Sequence, residues 1–480
     1  MPSIVLRFIA LSLLLNLVAA THADAATWFV KATAQHDGNG SIARPFHTLE
    51  AAEAASGAGD IIYIIHTISA VVLDGQIVLK PDQKLIGLGP DVRNVDENAA
   101  AARITYSGGG GVNYPAGAVV QLSSGNEIAN IHFKDMSYGG IVGLNVDFSG
   151  AHIHDNLFTG GDINNDFFRI SVLLDSSLGN STATVTNNVI RDGNFLAGIS
   201  VFHRADSSGN YHFENNHFDN IGGRPYFFWT FDTAYVRADI LDSSANNIGA
   251  LGEFSEFANS DGIGMQLSQS SAMDIVIDGY TYDNTGQFGG ISNTGLELFF
   301  PGQGLNPPDI WADGAQASLK IRNSSIGNAV TDAIQILSLG TNSVVDVEMT
   351  NTQVSAAKPA QVGPVVGLVG AAISIVPNFF FSDGNQMSVK IEHSDIIGSF
   401  GYAVGVYDLG SAGKNFSFDM GGGSLGSFGQ NRILDNAVGD IELFQYNDGI
   451  GRLNWWGGNA PQVDGGSFDT VPELLADPRP

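Results

Sequence analysis

Gly140-Ile141-Val142-Gly143, Arg169-Ile170-Ser171-Val172, Gly198-Ile199-Ser200-Val201 and Ala403-Val404-Gly405-Val406 are copies of one short apolar strand. Further copies begin at Phe228, Ile263, Leu296, Ile334 and Ile373. Successive starts from Ile141 to Val404 are 29, 29, 29, 35, 33, 38, 39 and 31 residues apart. A fixed period of this length marks a chain built by stacking one supersecondary unit on the next.

Between the copies lies a second pattern, in which an apolar strand end is followed by a small polar corner and another apolar residue. It reads Ile153-His154-Asp155-Asn156-Leu157-Phe158, Val185-Thr186-Asn187-Asn188-Val189-Ile190 and Phe213-Glu214-Asn215-Asn216-His217-Phe218. It returns as Ile321-Arg322-Asn323-Ser324, Met349-Thr350-Asn351-Thr352 and Ile391-Glu392-His393-Ser394. Alternation with a period of two excludes helical repeats, and several short strands per unit predict a parallel β-solenoid whose coils bury one face on the next.

On these repeats, on Asp37-Gly38-Asn39-Gly40 followed by Gly59-Asp60-Ile61-Ile62-Tyr63-Ile64, and on the ending Leu453-Asn454-Trp455-Trp456-Gly457, the chain resembles the pectate-lyase-like superfamily. The resemblance implies an all-β fold, a single-stranded right-handed parallel β-helix. It implies no particular chemistry, because the superfamily mixes polysaccharide lyases and hydrolases with tailspikes and adhesins. The Gly-His-Gly segment and Arg-x-Lys of polygalacturonase-like members are missing, and so is an Arg-x-Pro-x-x-Arg run of the pectate lyase type.

Residues 1–25 read as a signal peptide: Arg7, an apolar run from Phe8 to Ala20, and Ala23-Asp24-Ala25 as a small-x-small cleavage site. Residues 26–100 form the N-terminal part of the solenoid. They include a capping helix from about Pro45 to Ala55, which covers an end where strand backbone would otherwise be unpaired. Residues 101–460 are the coils, and the polar tail 461–480 is a C-terminal strap. No later stretch is long and apolar enough for a membrane span.

The chain has no cysteine, so a large core rather than disulfides must stabilise an exported protein. The expected location is the cell surface, the periplasm or the medium of a bacterium. The net charge of −28 argues against nucleic acid as a partner. The expected partner is a polysaccharide or cell-surface glycan; oligomeric state is not readable. No cofactor is assigned, and Ca2+ is the cation that the acidic balance leaves open.

Stacked coils turn the repeat into surface columns, since neighbouring strands lie about 4.8 Å apart. The residue after each strand start points outward, giving Ser171, Ser200, Trp229, Gly264, Glu297, Gln335, Ser374 and Gly405. Two places further the column is apolar, with Leu173, Phe202, Phe231, Gln266, Phe299, Leu337, Val376 and Tyr407. Outward Phe202, Trp229, Phe231, Phe299 and Tyr407 suit stacking on sugar rings, and loops folded over them would make them a satellite core instead.

Asp261 and Asp332 occupy equivalent positions two coils apart with Glu297 on the coil between, a spacing of about 9.6 Å that lies near the range used by paired carboxyls in glycoside hydrolysis. Asp before Gly or Ala is equally a turn residue. Arg204 is a candidate for binding an acidic sugar and also stands one coil from Asp175, as a plain ion pair would. Two functions follow. The first is an exported, adhesin-like glycan binder; the alternative is a polysaccharide lyase or glycoside hydrolase working in a lateral groove.

Overall fold

The computed structural model describes residues 25–479, apart from 68–70, 95–99, 108–117, 138, 161–169, 194, 250–260, 285–293, 303–310, 330–331, 356–370, 379–381, 383, 410–414 and 447–448. The signal segment, apart from Ala25, and most of the Gly/Pro loop after Pro301 lie outside the described residues.

The alternating runs fold into three long parallel sheets of 15, 13 and 12 strands among the described residues. One turn of the stack runs from Ile170–Ser176 in the 13-stranded sheet to Asn180–Thr186 in the 15-stranded sheet and Val189–Gly193 in the 12-stranded sheet. It returns to the first sheet as Ala197–His203, directly beside Ile170–Ser176. Every strand therefore pairs with its equivalent one turn away, which is a parallel β-helix. Parallel crossovers in one sheet are right-handed in about 98% of cases, the hand that the resemblance implies.

Inward side chains such as Ile153, Val185, Phe213 and Ile240 line up coil on coil and belong to one buried cluster that extends from Val30 to Trp456. Rings inside it stack: Phe133 and Phe158 lie 4.8 Å apart with planes 9° from parallel. Each fully buried Phe, Leu or Ile contributes roughly 1.5–3 kcal/mol, so a long core serves where cysteine is missing.

The corners between the 15- and 12-stranded sheets explain the Asn pattern. Asp155, Asn187, Asn215, Asn323, Asn351 and His393 adopt φ between 48° and 57°, the left-handed region that Asn and Asp tolerate best. The next residue, Asn156, Asn188, Asn216, Ser324, Thr352 or Ser394, turns inward and is buried. Asn156 Nδ2 donates to Asn188 Oδ1 (3.1 Å), and Asn188 Nδ2 donates to Asn216 Oδ1 (3.0 Å), forming a ladder that runs along the axis.

The helix Leu49–Ala55 is present, with Thr48 as its N-cap accepting from the Ala51 amide at 3.2 Å. Leu49 and Ala52 are buried in the main cluster. At the other end, Val463–Gly465 and Phe468–Asp469 add strands to the 13- and 15-stranded sheets. Trp456 joins the core, and Trp455 lies over the Arg432 guanidinium.

The observed register corrects two of the expected strand starts. Ile141 pairs with Val172, not Ile170, and Ile199 pairs with Tyr226, not Phe228. A slip of two residues leaves every side chain on its face, so alternation fixes in and out without fixing the column. At Tyr226-Phe227-Phe228-Trp229, four successive aromatics hide the phase altogether.

Candidate active site on the thirteen-stranded sheet

With the register known, the outward column that contains Glu297 reads Leu173, Ser200, Phe227, Gly264, Glu297, Gln335, Ser374, Gly405 and Glu442. Ser171 and Trp229 leave it; Trp229 stands beside Phe202 instead. A second correction concerns exposure. Ser171, Ser200 and Ser374 are fully buried, and Glu297 is 8% exposed, so this face is not the open surface that alternation alone implies.

Arg224 opens the strand Arg224–Thr230 and sits one coil before Asp261 in the same position relative to its strand. Its Nε lies 3.0 Å from Asp261 Oδ2, and its Nη2 lies 3.7 Å from Glu297 Oε2. The guanidinium stands 4.4 Å from the centre of the Phe227 ring and passes over Gly264, where a Cβ would lie 2.9 Å from Nε. The absence of a side chain there is what lets the arginine reach both carboxyls.

The Thr294 amide donates to Asp261 Oδ1 at 3.3 Å, and the Glu297 carboxyl stands beside Asp261. Two ionised carboxylates have only acceptors and repel one another, so a site that brings them together favours a proton on one of them. Complete burial pushes Asp261 above the usual carboxylate range, and Arg224 opposes the shift.

Asp332 lies two coils from Asp261. Burial raises it to about 7, and Gln335, whose Nε2 donates to Asp332 Oδ2 at 3.1 Å, opposes the rise. Further along, the Tyr407 hydroxyl donates to Glu442 Oε2 at 2.6 Å, and burial raises that phenol strongly. The result is a file of acids, an amide and hydroxyls with Arg224 as the cation that contacts two of them.

Because Asp332 titrates upward on folding, the folded state holds its proton more tightly than the unfolded chain. Its contribution to stability is present below pH 3.8 and lost as pH rises toward about 7, at about 1.4 kcal/mol per pH unit. Asp332→Asn removes that slope. The variant should gain stability over the parent at pH 8 and gain little at pH 4, as urea unfolding at the two pH values will show.

The aromatic candidates divide into two groups. Phe202, Trp229 and Phe231 are half-buried and touch in sequence, with ring centres 6.1 Å and 4.4 Å apart; Phe227, absent from the expected column, completes the patch 5.5 Å from Phe202. Phe299 and Tyr407 belong to a separate apolar cluster with Leu337, Leu339 and Val376, and Tyr407 is only 5% exposed. Arg204 is exposed and forms an ion pair with Asp175, whose burial raises its carboxyl while Arg204 opposes the rise. The pairing is diagonal, since Asp175 is in register with Phe202. Among the described residues, no group of three or more His, Asp or Glu is placed to hold a metal ion, and no helix is long and apolar enough to cross a membrane.

Sequence pattern points to the carboxyls but misses Arg224 as their partner. The misplaced start at Phe228 put Arg224 four residues before its strand rather than two, out of the Asp261 column.

No protein-family model and no curated protein matches the chain. Among solved structures, it is similar to the catalytic unit of a thermostable GH87 α-1,3-glucanase from Streptomyces thermodiastaticus, at 11% identity and a TM-score of 0.45 over 95% of this chain and 70% of that one. It is similar to the A-module of the mannuronan C-5 epimerase AlgE6 of Azotobacter vinelandii, at 12% identity and a TM-score of 0.39 over 89% and 94%. It is also similar to a rhamnogalacturonan lyase, at 10% identity and a TM-score of 0.25 over 94% and 88%. The class of protein is set by the three sheets themselves: a parallel β-helix.

Proposed function

We propose that the chain is an exported polysaccharide-active enzyme whose reaction centre is the acid file on the 13-stranded sheet. The observation that carries this reading is the Asp261–Glu297 pair held on the one guanidinium of Arg224, with Asp332 two coils away. Buried acids in excess of their cationic partner are costly, and such arrangements cluster at reaction centres. A proton on one of Asp261 and Glu297 suits a general acid. Asp332, pushed to about 7, is balanced between acid and base near neutrality.

Two carboxyls that share one guanidinium act as a single unit rather than as the two opposed groups of a glycosidase, whose carboxyls stand at about 5–9.5 Å. Asp332 therefore supplies the second function, opposite the Asp261–Glu297 unit. The Phe202–Trp229–Phe231 patch on the same sheet offers rings against which sugars stack. Residues 1–25 serve to export the chain from a bacterium, with 26–100 as the opening module, 101–460 as the coils and 461–480 as a closing strap.

The test is a panel of neutral and acidic polysaccharides, read for new reducing ends and for unsaturated products. Turnover by the parent is expected, with Glu297→Gln and Asp332→Asn each reducing it by about 100-fold or more, as removal of a general acid or base does. Absence of turnover across the panel overturns the enzyme and leaves the second reading, a non-catalytic adhesin-like glycan binder. That reading is favoured by one observation: Asp261 and Asp332 are 0% and 1% exposed.

A further inference from the structure

The outward face of the 15-stranded sheet carries a groove of about 440 Å3, on a different sheet from the acid file. His152, Thr182, Thr184, Asn210, His212 and Asp239 line it, drawn from four successive coils. The groove exists because of side-chain length. In the row that runs along the sheet, Thr184 stands between His152 and His212, whereas further along the same row holds Lys320, Glu348 and Lys390. Short residues between two imidazoles leave a trough, and long charged ones fill it.

We propose that this groove is a second binding site, for a linear neutral glycan lying along the axis of the β-helix. Its lining offers hydroxyls, an amide, imidazoles and one carboxylate, a set that both donates and accepts, as sugar hydroxyls require. It contains no Lys or Arg, and with Asp239 in its wall and a net charge of −28 it repels anionic polymers. Arg237 follows Asn210 one coil further on, outside the lining.

The repeat of the walls gives the direction. Equivalent residues recur at the strand spacing of about 4.8 Å, comparable to the length of one pyranose. A linear chain along the axis thus meets a new set of polar groups with each ring. His152 stacks on His154 at 4.1 Å, and His212 Nε2 lies 3.1 Å from Glu214 Oε2, contacts that hold both imidazoles in place as walls. The site is independent of the proposed reaction, because no residue of the acid file belongs to it.

Titration calorimetry of the full chain with linear neutral hexasaccharides of glucose and mannose, and with an oligogalacturonate as the anionic probe, tests the assignment. One-to-one binding of at least one neutral probe is expected. Asp239→Ala should weaken it by about tenfold, the loss of one charge-assisted hydrogen bond. Thr184→Trp, placed on the outward face where it fills the trough, should abolish it, with an unchanged melting temperature showing that the fold is intact. Glu297→Gln should leave the affinity unchanged. Failure of every neutral probe to bind, tighter binding of the oligogalacturonate, full affinity in both groove variants, or loss of binding in Glu297→Gln would each overturn the site. The Glu297→Gln arm separates this outcome from failure of the proposed reaction.

Discussion

Arg224→Leu should lower the unfolding free energy by about 3–5 kcal/mol at neutral pH, the usual cost of removing one partner from a buried ionic group. Arg224 is the cation in contact with both Asp261 and Glu297, and Asp261 has no exposed surface. Without it, those carboxyls must either stay charged in an apolar setting or be protonated. The deficit should therefore shrink as pH falls through the carboxylate range. Adding Glu297→Gln to Arg224→Leu should recover part of the loss, since one buried acid is gone. A double-mutant cycle by urea denaturation measures the coupling. Equal stability of parent and Arg224→Leu at pH 8 would show that the ion pair is not formed.

Asn188→Ala should be similarly harmful, for reasons that concern hydrogen bonds rather than charge. Asn188 Nδ2 donates to Ile153 O, Thr186 O and Asn216 Oδ1, all at 3.0 Å. Its Oδ1 accepts from the Asn156 amide and from Asn156 Nδ2 at 3.1 Å each. Alanine deletes the hub: the buried Asn156 amide loses its acceptor, and Ile153 O, Thr186 O and Asn216 Oδ1 each lose a donor, at about 1–3 kcal/mol for a buried group left unsatisfied. We expect a total loss of about 3 kcal/mol or more, with a melting temperature several degrees lower. Asn215→Ala, at the neighbouring corner position, keeps the ladder and loses only left-handed tolerance and an exposed bond to Asn187 Oδ1. Its effect should be much smaller, and comparing the two melting curves separates turn strain from ladder formation.

These corners are also where sequence and structure agree best. Asn187-Asn188 and Asn215-Asn216 identify themselves because the chemistry is local: one residue must accept positive φ, and the next must cap buried backbone. The strand faces were legible for a related reason, since alternation is a property of a single strand. Columns were not. Which residue lies above which depends on how far each turn travels before it returns, and Ile170 for Val172 or Phe228 for Tyr226 are equally good by pattern. Asp261, Glu297 and Asp332 kept their places because the copies after Ile263 were in phase; Arg224, before it, did not. Exposure was the other gap. Alternation distinguishes inside the tube from outside it, and outside proved to be buried at Ser200, Ser374 and Asp332.

The strict coil-to-coil pairing gives this molecule a length that can change by whole steps. The segment Val172–Gly198 starts at one register position and ends just before its equivalent, Ile199. Copying it in tandem would add one layer with its own inward side chains, its own corner and its own rung of the Asn ladder, while each distant layer kept the neighbours it already has. A genetic duplication of that kind lengthens the rod and extends the outer faces without redesign, so binding surface can grow by addition where a globular fold would have to be rebuilt.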